Sequence, residues 1–130
     1  MKKILTLFLT LFLITTNAYA EYTKFAGFKD GFVFFYDKSS VKRNGNKVEV
    51  WNYTNFGEGS IAKSYKVYSM RTLDKFDCTN KTFQHFSIQS FTKPNLEGDM
   101  EDLTDPNPKI KYIESSRSPH AILMKLVCKK

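Results

Sequence analysis

The chain has 130 residues, of which 42% are hydrophobic and 25% are charged, and its formal net charge is +7. That length is enough for one domain around one hydrophobic core and excludes two domains. The moderate positive charge favours solubility and acidic partners, and it carries no information about the fold.

The first 20 residues have the pattern of a cleavable bacterial export signal. Two lysines, an apolar run of 11 residues (4–14) and an A-x-A triplet (18–20) follow one another. This order predicts cleavage between Ala20 and Glu21 and a mature domain of residues 21–130 with a net charge of +5. A membrane anchor is the alternative. A spanning helix needs about 20 apolar residues, so no transmembrane anchor is expected after cleavage.

The chain contains two cysteines, Cys78 and Cys128, and both lie in the predicted mature domain. Neither is near the predicted cleavage site, so the protein is expected to be periplasmic, secreted or surface-associated, and not a lipoprotein. An oxidising compartment favours a disulfide between them, with two free thiols as the alternative. A bridge enclosing these 51 residues would add about 4 kcal/mol of stability on the chain-entropy model. The cysteines and two distant histidines lack zinc-ligand spacing, so no metal site is expected.

Five segments of the mature domain are typical of β-strands. Each is rich in aromatic or β-branched residues, and turn-forming residues separate them. The segments are residues 31–37, 47–53, 64–73, 81–92 and 109–114. Asn44-Gly45 predicts a tight hairpin turn before the second segment, because both residues tolerate positive φ. Within the second segment, Val48 and Val50 share one face.

Residues 93–108 differ from the strands in composition. The segment has three prolines and five acids, and its net charge of −4 leaves +9 on the rest of the mature domain. A calcium loop is one interpretation, but the spacing lacks the glycine and terminal glutamate of such a loop. A solvated acidic loop is therefore predicted.

The C-terminal segment is predicted to be a helix, with a buried strand as the alternative. Ser118 is a suitable N-cap and Pro119 suits the first helical position. One apolar helical face would be formed by Ile122, Leu123, Leu126 and Val127. The predicted fold is therefore α+β: an antiparallel sheet of five or six strands, with a C-terminal helix tied to it by one disulfide.

The residues indicate no catalytic chemistry. The chain has no nucleophile elbow, no H-E-x-x-H and no phosphate-binding glycine loop. His85 and His120 are the only histidines, and neither has a recognisable partner nearby in sequence. We therefore expect no enzymatic activity, no catalytic residue and no cofactor. Aromatic residues beside lysines between positions 51 and 68 suggest nucleic-acid binding, but an exported domain rarely meets nucleic acid, so none is expected as a partner.

Several short motifs along the mature chain occur together in one order. They are Val48-Glu49-Val50-Trp51-Asn52-Tyr53, Tyr68-Ser69, Asp77-Cys78, Tyr112-Ile113, Ser118-Pro119 and Leu126-Val127-Cys128. In this order and spacing, residues 22–128 resemble the surface-adhesin E family of small exported bacterial proteins. The resemblance implies an antiparallel sheet with a disulfide-tethered C-terminal helix. It also implies non-catalytic binding of host extracellular-matrix or plasma proteins.

The candidate binding surface consists of two basic clusters. The first surrounds the predicted hairpin turn and contains Lys42, Arg43 and Lys47, and the second contains Lys109 and Lys111. Host extracellular-matrix proteins or envelope macromolecules are the expected partners. The alternative is a soluble periplasmic protein with a structural, chaperone-like or enzyme-inhibiting role. An open sheet edge would also allow a homodimer.

Overall fold

The computed structural model describes residues 20–129. Eight strands form one antiparallel sheet, and a C-terminal helix packs on it. The strands are β1 (Tyr22–Gly27), β2 (Val33–Asp37), β3 (Lys42–Asn44), β4 (Lys47–Asn55), β5 (Ser69–Asp77), β6 (Thr82–Phe91), β7 (Met100–Asp102) and β8 (Lys111–Tyr112). The helices are α1 (Ile61–Ser64) and α2 (Pro119–Val127). The predicted fold class is confirmed, with eight strands in place of five or six.

The main path of the sheet runs β1-β2-β4-β5-β6-β7, with β3 paired to β4 and β8 paired to β6. Strand β5 is central, because all nine of its residues pair with β4 on one side and with β6 on the other. The register places Val48, Phe76 and Phe83 next to one another across three strands. These three residues face the same side of the sheet and begin the core.

The predicted hairpin between β3 and β4 forms, but its turn lies one residue later than Asn44-Gly45, because Asn44 is the last residue of β3. Asn44 pairs with Lys47, so Gly45 and Asn46 are the two central residues of the loop. Gly45 has φ +61, a left-handed conformation that glycine adopts without steric cost. A two-residue loop with glycine at its first central position matches the twist of the flanking strands, which fixes the register of this hairpin.

The hydrophobic core lies between α2 and one face of the sheet. Val48, Val50 and Phe76 are fully buried there, and Phe83 is almost so. The predicted shared face of Val48 and Val50 is therefore confirmed. From the helix, the buried side chains are Leu123, Met124 and Val127.

The buried face of α2 differs from the predicted one by part of a turn. Leu126 is 38% exposed, whereas Met124 is buried in its place. The helix begins as predicted, with the Ser118 hydroxyl accepting from Ala121 N and Pro119 in the first turn. Residues at i, i+1 and i+4 form a contiguous strip on a helix, and this strip contacts the sheet.

The disulfide between Cys78 and Cys128 connects the end of β5 to the end of α2. Its Cα atoms are 5.8 Å apart. Both half-cystines pack against the core. The predicted pairing is confirmed, and the bridge holds the C-terminal end of the helix against the sheet.

Three predicted segments differ from the structure. Residues 64–73 are not one strand: α1 begins after Ser60, whose hydroxyl accepts from Ala62 N, and Lys66 has φ +59, so the chain becomes extended only at Ser69. Residues 93–108 are not wholly a loop, because β7 pairs with the end of β6. The late strand is only two residues long, since it pairs with Thr82 and Phe83 alone.

Residues 1–19 of the predicted signal segment lie outside the described residues, which begin at Ala20. Within residues 20–129, no helix has the length and apolar character needed to cross a membrane.

Candidate functional site

The hairpin cations lie in one groove at the end of the sheet that carries the β3–β4 turn. Lys42, Arg43 and Lys47 line this groove together with Lys75 from β5. Glu49 is its acidic member. The β3–β4 hairpin brings the first three together, and the β4–β5 pairing adds Lys75 opposite Glu49.

Arg43 is engaged by the C-terminal segment. Its Nη2 donates to the carbonyl oxygens of Val127 and Lys129, at 2.7 Å in each case. The last carbonyls of a helix have no partner within the helix, and a cation there also interacts favourably with the helix dipole. Arg43 therefore fixes the end of α2.

Lys47 is held by a carboxylate at the turn after β5. Its Nζ lies 2.9 Å from Oδ2 of Asp77, while 45% of the lysine side chain stays exposed. Asp77 also accepts from the backbone N–H of Asn80 and from its side-chain amide, both at 2.9 Å. The Asn80 backbone N–H, followed by the Lys47 ammonium and the Asn80 amide, holds the pKa of Asp77 far below its usual range. Asp77 thus stays ionised and ties Lys47 to the turn.

The late-strand lysines lie in a different groove. Lys109 and Lys111 line it with His85 and Ile88. Their neighbours Ile110 and Tyr112 instead share a groove with Lys47 and Lys75. Ile110 and Tyr112 are 60% and 74% exposed. The structure therefore separates the two basic clusters that the sequence suggested, and it adds Lys75, Ile110 and Tyr112 to the hairpin cluster.

The aromatic residues of the sheet face opposite α2 pack mainly against one another. The rings of Phe35 and Tyr53 stack at 4.6 Å, and Tyr22 meets Tyr53 edge-on at 4.7 Å. The guanidinium of Arg71 lies 4.9 Å from the ring centre of Trp51. Burial raises the pKa of the Tyr22 hydroxyl. These contacts cover much of the aromatic surface on this face.

A polar cluster interrupts the core on the helix-facing side. Asp74 of β5 is completely buried, and its carboxylate bonds to Nδ1 of His85. Asn52 Nδ2 donates to Asp74 Oδ2 at 2.8 Å, and Thr72 Oγ1 donates to the same oxygen at 3.2 Å. The Nε2 of His120 lies 3.8 Å from Asp74 Oδ2.

The sheet register and the cap of α2 together form this cluster. Asp74 pairs with His85 across the β5–β6 hairpin, at a bulge that shifts the register between Leu73 and Asp74. The Ser118 cap places His120 in the first turn of α2, where its ring stacks on Phe83 at 4.2 Å. Sequence spacing alone does not predict this meeting, because 35 residues separate the two histidines. The alternation of side chains along a strand does predict part of it. Asp74 is two residues from Phe76, and His85 is two residues from Phe83, so each polar residue shares a sheet face with a phenylalanine.

Burial favours the neutral form of His120. Loss of solvent contact lowers the pKa of His120, and the nearby His85 and Lys111 lower it further, although Asp74 acts in the opposite direction. A neutral imidazole has a free lone pair on one ring nitrogen. The cluster thus offers a carboxylate oxygen and imidazole nitrogens as electron-pair donors.

A cavity of about 350 Å³ opens beside the cluster. Both histidines line it, together with Asn52 and Thr72 from the sheet. Its other walls are mainly apolar and include Phe25, Phe32, Phe34, Phe56, Met70 and Leu123. An apolar cavity with a few converging polar groups is the usual form of a small-ligand site.

An antiparallel sheet with one C-terminal helix, joined by a single disulfide, defines a small disulfide-stabilised α+β protein. The family model for surface-adhesin protein E matches residues 22–129. The chain therefore belongs to the surface-adhesin protein E family, as the order of its motifs predicted.

One solved structure, crystal form II of Haemophilus influenzae protein E, is similar in fold. The TM-score is 0.58 at 11% sequence identity, and the match covers 73% of this chain and 79% of that chain. At this identity the similarity shows the shared fold alone. None of the curated proteins compared with the chain matches it.

Proposed function

We propose that the mature domain is a non-enzymatic binding protein that attaches to host extracellular-matrix or envelope macromolecules. The family match carries the proposal, because it covers nearly all of the mature chain and describes a surface adhesin. The proposal includes export after cleavage between Ala20 and Glu21, without a lipid anchor. Binding would take place at the rim of the domain that carries the β3–β4 turn.

We call this rim the basic edge of the domain and define it as Lys42, Lys47, Lys75, Ile110 and Tyr112. Two adjoining grooves form it, and Lys47 and Lys75 line both of them. Exposed apolar side chains beside lysine ammonium groups support contact with an acidic macromolecule. The apolar side chains would be buried in the contact, and the ammonium groups would face the negative charges of the partner.

The contacts of each cation decide which substitutions test the proposal. Arg43 holds the end of α2 and Lys47 holds Asp77, so changing either would also disturb the fold. Among residues 20–129, no carboxylate lies within salt-bridge distance of Lys42 or Lys75. A Lys42→Ala/Lys75→Ala variant therefore removes two charges of the basic edge without breaking an ion pair, although it also removes the contact between the Lys75 ammonium and the Phe86 ring at 5.3 Å.

The experiment measures binding of the exported protein to laminin, vitronectin and purified envelope components. We expect the Lys42→Ala/Lys75→Ala variant to bind at least tenfold more weakly than the wild type. Lys38→Ala/Lys125→Ala is the matched control, because it loses the same charge at exposed positions elsewhere. Binding should weaken between 0.01 M and 0.15 M salt, where the Debye length falls from about 30 Å to about 8 Å.

A third variant, Lys109→Ala/Lys111→Ala, tests the other groove. Equal weakening by this variant would move the contact surface to the late strand and contradict the basic edge. The binding function itself would be contradicted if the protein bound none of these macromolecules. It would also be contradicted if the affinity changed neither with salt concentration nor in the Lys42→Ala/Lys75→Ala variant.

A further inference from the structure

We propose that Asp74, His85 and His120 form a binding site for a divalent transition-metal ion of the Zn²⁺ type. The site lies at the floor of the cavity beside α2 and shares no lining residue with the basic edge. It is therefore independent of the proposed attachment surface.

The three side chains already lie close enough to share an ion. One carboxylate oxygen and one nitrogen from each imidazole are all within 4.8 Å of one another. Bonds of about 2.0–2.1 Å in a tetrahedral zinc site place neighbouring ligand atoms about 3.3 Å apart. The most distant ligand atoms, up to 4.8 Å apart, therefore need to approach by about 1.5 Å, a shift that side-chain rotation of the two histidines can divide between them.

The donor set selects the class of ion. Two imidazoles and one carboxylate suit Zn²⁺, Co²⁺ and Ni²⁺, whereas Ca²⁺ and Mg²⁺ prefer shells made of oxygen atoms. Three protein ligands leave a fourth tetrahedral position for water or another ligand. The cavity provides room for that position, because His85 and His120 both line it.

The buried carboxylate lacks a permanent cation. Asp74 is 0% exposed, and in residues 20–129 neither a lysine nor an arginine forms a salt bridge with it. Its partners are an amide, a hydroxyl and imidazoles. Buried carboxylates in proteins are normally paired with a cation or bound to a metal, because an uncompensated charge is costly in the interior. The histidines compensate this charge only when they are protonated, whereas a divalent ion would compensate it with both imidazoles neutral.

Groups around the ligands hold them in position. Asn52 and Thr72 donate to Asp74 Oδ2, which orients the carboxylate as the outer partners of metal ligands do. The stack on Phe83 fixes the ring plane of His120. The ligands come from two paired strands and a helix, and such rigid elements hold a metal site more precisely than loops.

An ion could reach the site from solvent. The side chain of His120 is 35% exposed and that of His85 is 16% exposed, although Asp74 is inaccessible. The cavity therefore leads from the surface to the two imidazoles, and the carboxylate lies behind them.

The test titrates Zn²⁺ into the tag-free exported protein after chelator treatment, with a chromophoric chelator as competitor. We expect one equivalent to bind in the micromolar range or tighter, and Co²⁺ to give the visible spectrum of a tetrahedral site. His120→Gln should lower the Zn²⁺ affinity at least 100-fold, and Asn52→Ala should lower it about 10- to 100-fold through the carboxylate. Thr54→Val is the control, because Thr54 lines the cavity outside the cluster.

The wild-type protein also gives a test that needs no variant. The chain contains two histidines, so one equivalent of Zn²⁺ should shift the imidazole NMR signals of both. Stoichiometric binding that shifts neither histidine, affinity equal in wild type and His120→Gln, or Zn²⁺ binding no tighter than millimolar would each overturn the proposal.

Discussion

Removing the disulfide should lower stability strongly without releasing the helix. The bridge between Cys78 and Cys128 closes a loop of 51 residues, which corresponds to about 4 kcal/mol on the chain-entropy relation. Unfolding entropy of about 2.1 cal/mol/K per residue gives about 230 cal/mol/K for the mature domain. The two figures together predict a fall in melting temperature of about 15–18 °C for Cys78→Ser/Cys128→Ser.

The helix should stay docked in that variant because its packing is retained. Leu123, Met124 and Val127 remain buried against the sheet, and burying each such side chain is worth about 1.5–3 kcal/mol. Arg43 still bonds to the carbonyls at the helix end. The circular dichroism spectrum of the folded state should therefore match that of the wild type.

Scanning calorimetry of the wild type, the Ser pair and a Cys78→Ala/Cys128→Ala pair measures the effect. The Ala pair controls for the new hydroxyl groups and should melt within a few degrees of the Ser pair. A melting temperature within about 3 °C of the wild type would refute the loop-closure reasoning. A folded state without helical signal would refute the claim that packing holds α2.

Three further predictions follow from the core, the turn after β5 and the N-terminus. Leu123→Ala should cost about 2–5 kcal/mol in urea unfolding because Leu123 is fully buried, whereas Leu126→Ala should cost less than about 1 kcal/mol; equal costs would contradict the observed helix face. The lowered pKa of Asp77 stabilises the folded state fully above the pKa of an unfolded aspartate, about 3.9, and this contribution is lost as the pH falls below that value. As the pH falls below about 4, Asp77→Asn should therefore lose less free energy of unfolding than the wild type. Mass spectrometry of the exported protein should find Glu21 as its first residue, and retention of Met1 would disprove cleavage.

Local signals in the sequence predict much of the fold. Asn44-Gly45 indicates the hairpin, Ser118-Pro119 marks the helix start, and the pair Val48 and Val50 marks the buried face. Each of these depends on residues adjacent in the chain. The two cysteines allow one pairing, which is the one observed.

Features that depend on tertiary contacts are harder to predict. The alternation of Tyr65 and Val67 indicates a strand, but Lys66 adopts a left-handed conformation between a helical turn and β5. Strand β7 exists through its pairing with the end of β6. The meeting of Asp74, His85 and His120 requires a hairpin register and a helix placement together, and spacing along the chain encodes neither.

The candidate basic surface shows the same limit. The hairpin cations are adjacent in sequence and do share a groove, but the sequence does not show that Arg43 is engaged by the helix end. Lys75 joins them only through the β4–β5 register. Which lysines are free for a partner is therefore a property of the folded sheet.

Surface labelling of intact bacteria, followed by attachment to immobilised laminin, distinguishes a surface-exposed adhesin from a soluble periplasmic protein. A membrane-impermeant reagent should label the protein on intact cells. Deleting the protein should lower attachment, and the wild-type chain should restore attachment while Lys42→Ala/Lys75→Ala does not. Labelling only after the outer membrane is permeabilised, with attachment unchanged by the deletion, would contradict the adhesive function and favour a soluble periplasmic role.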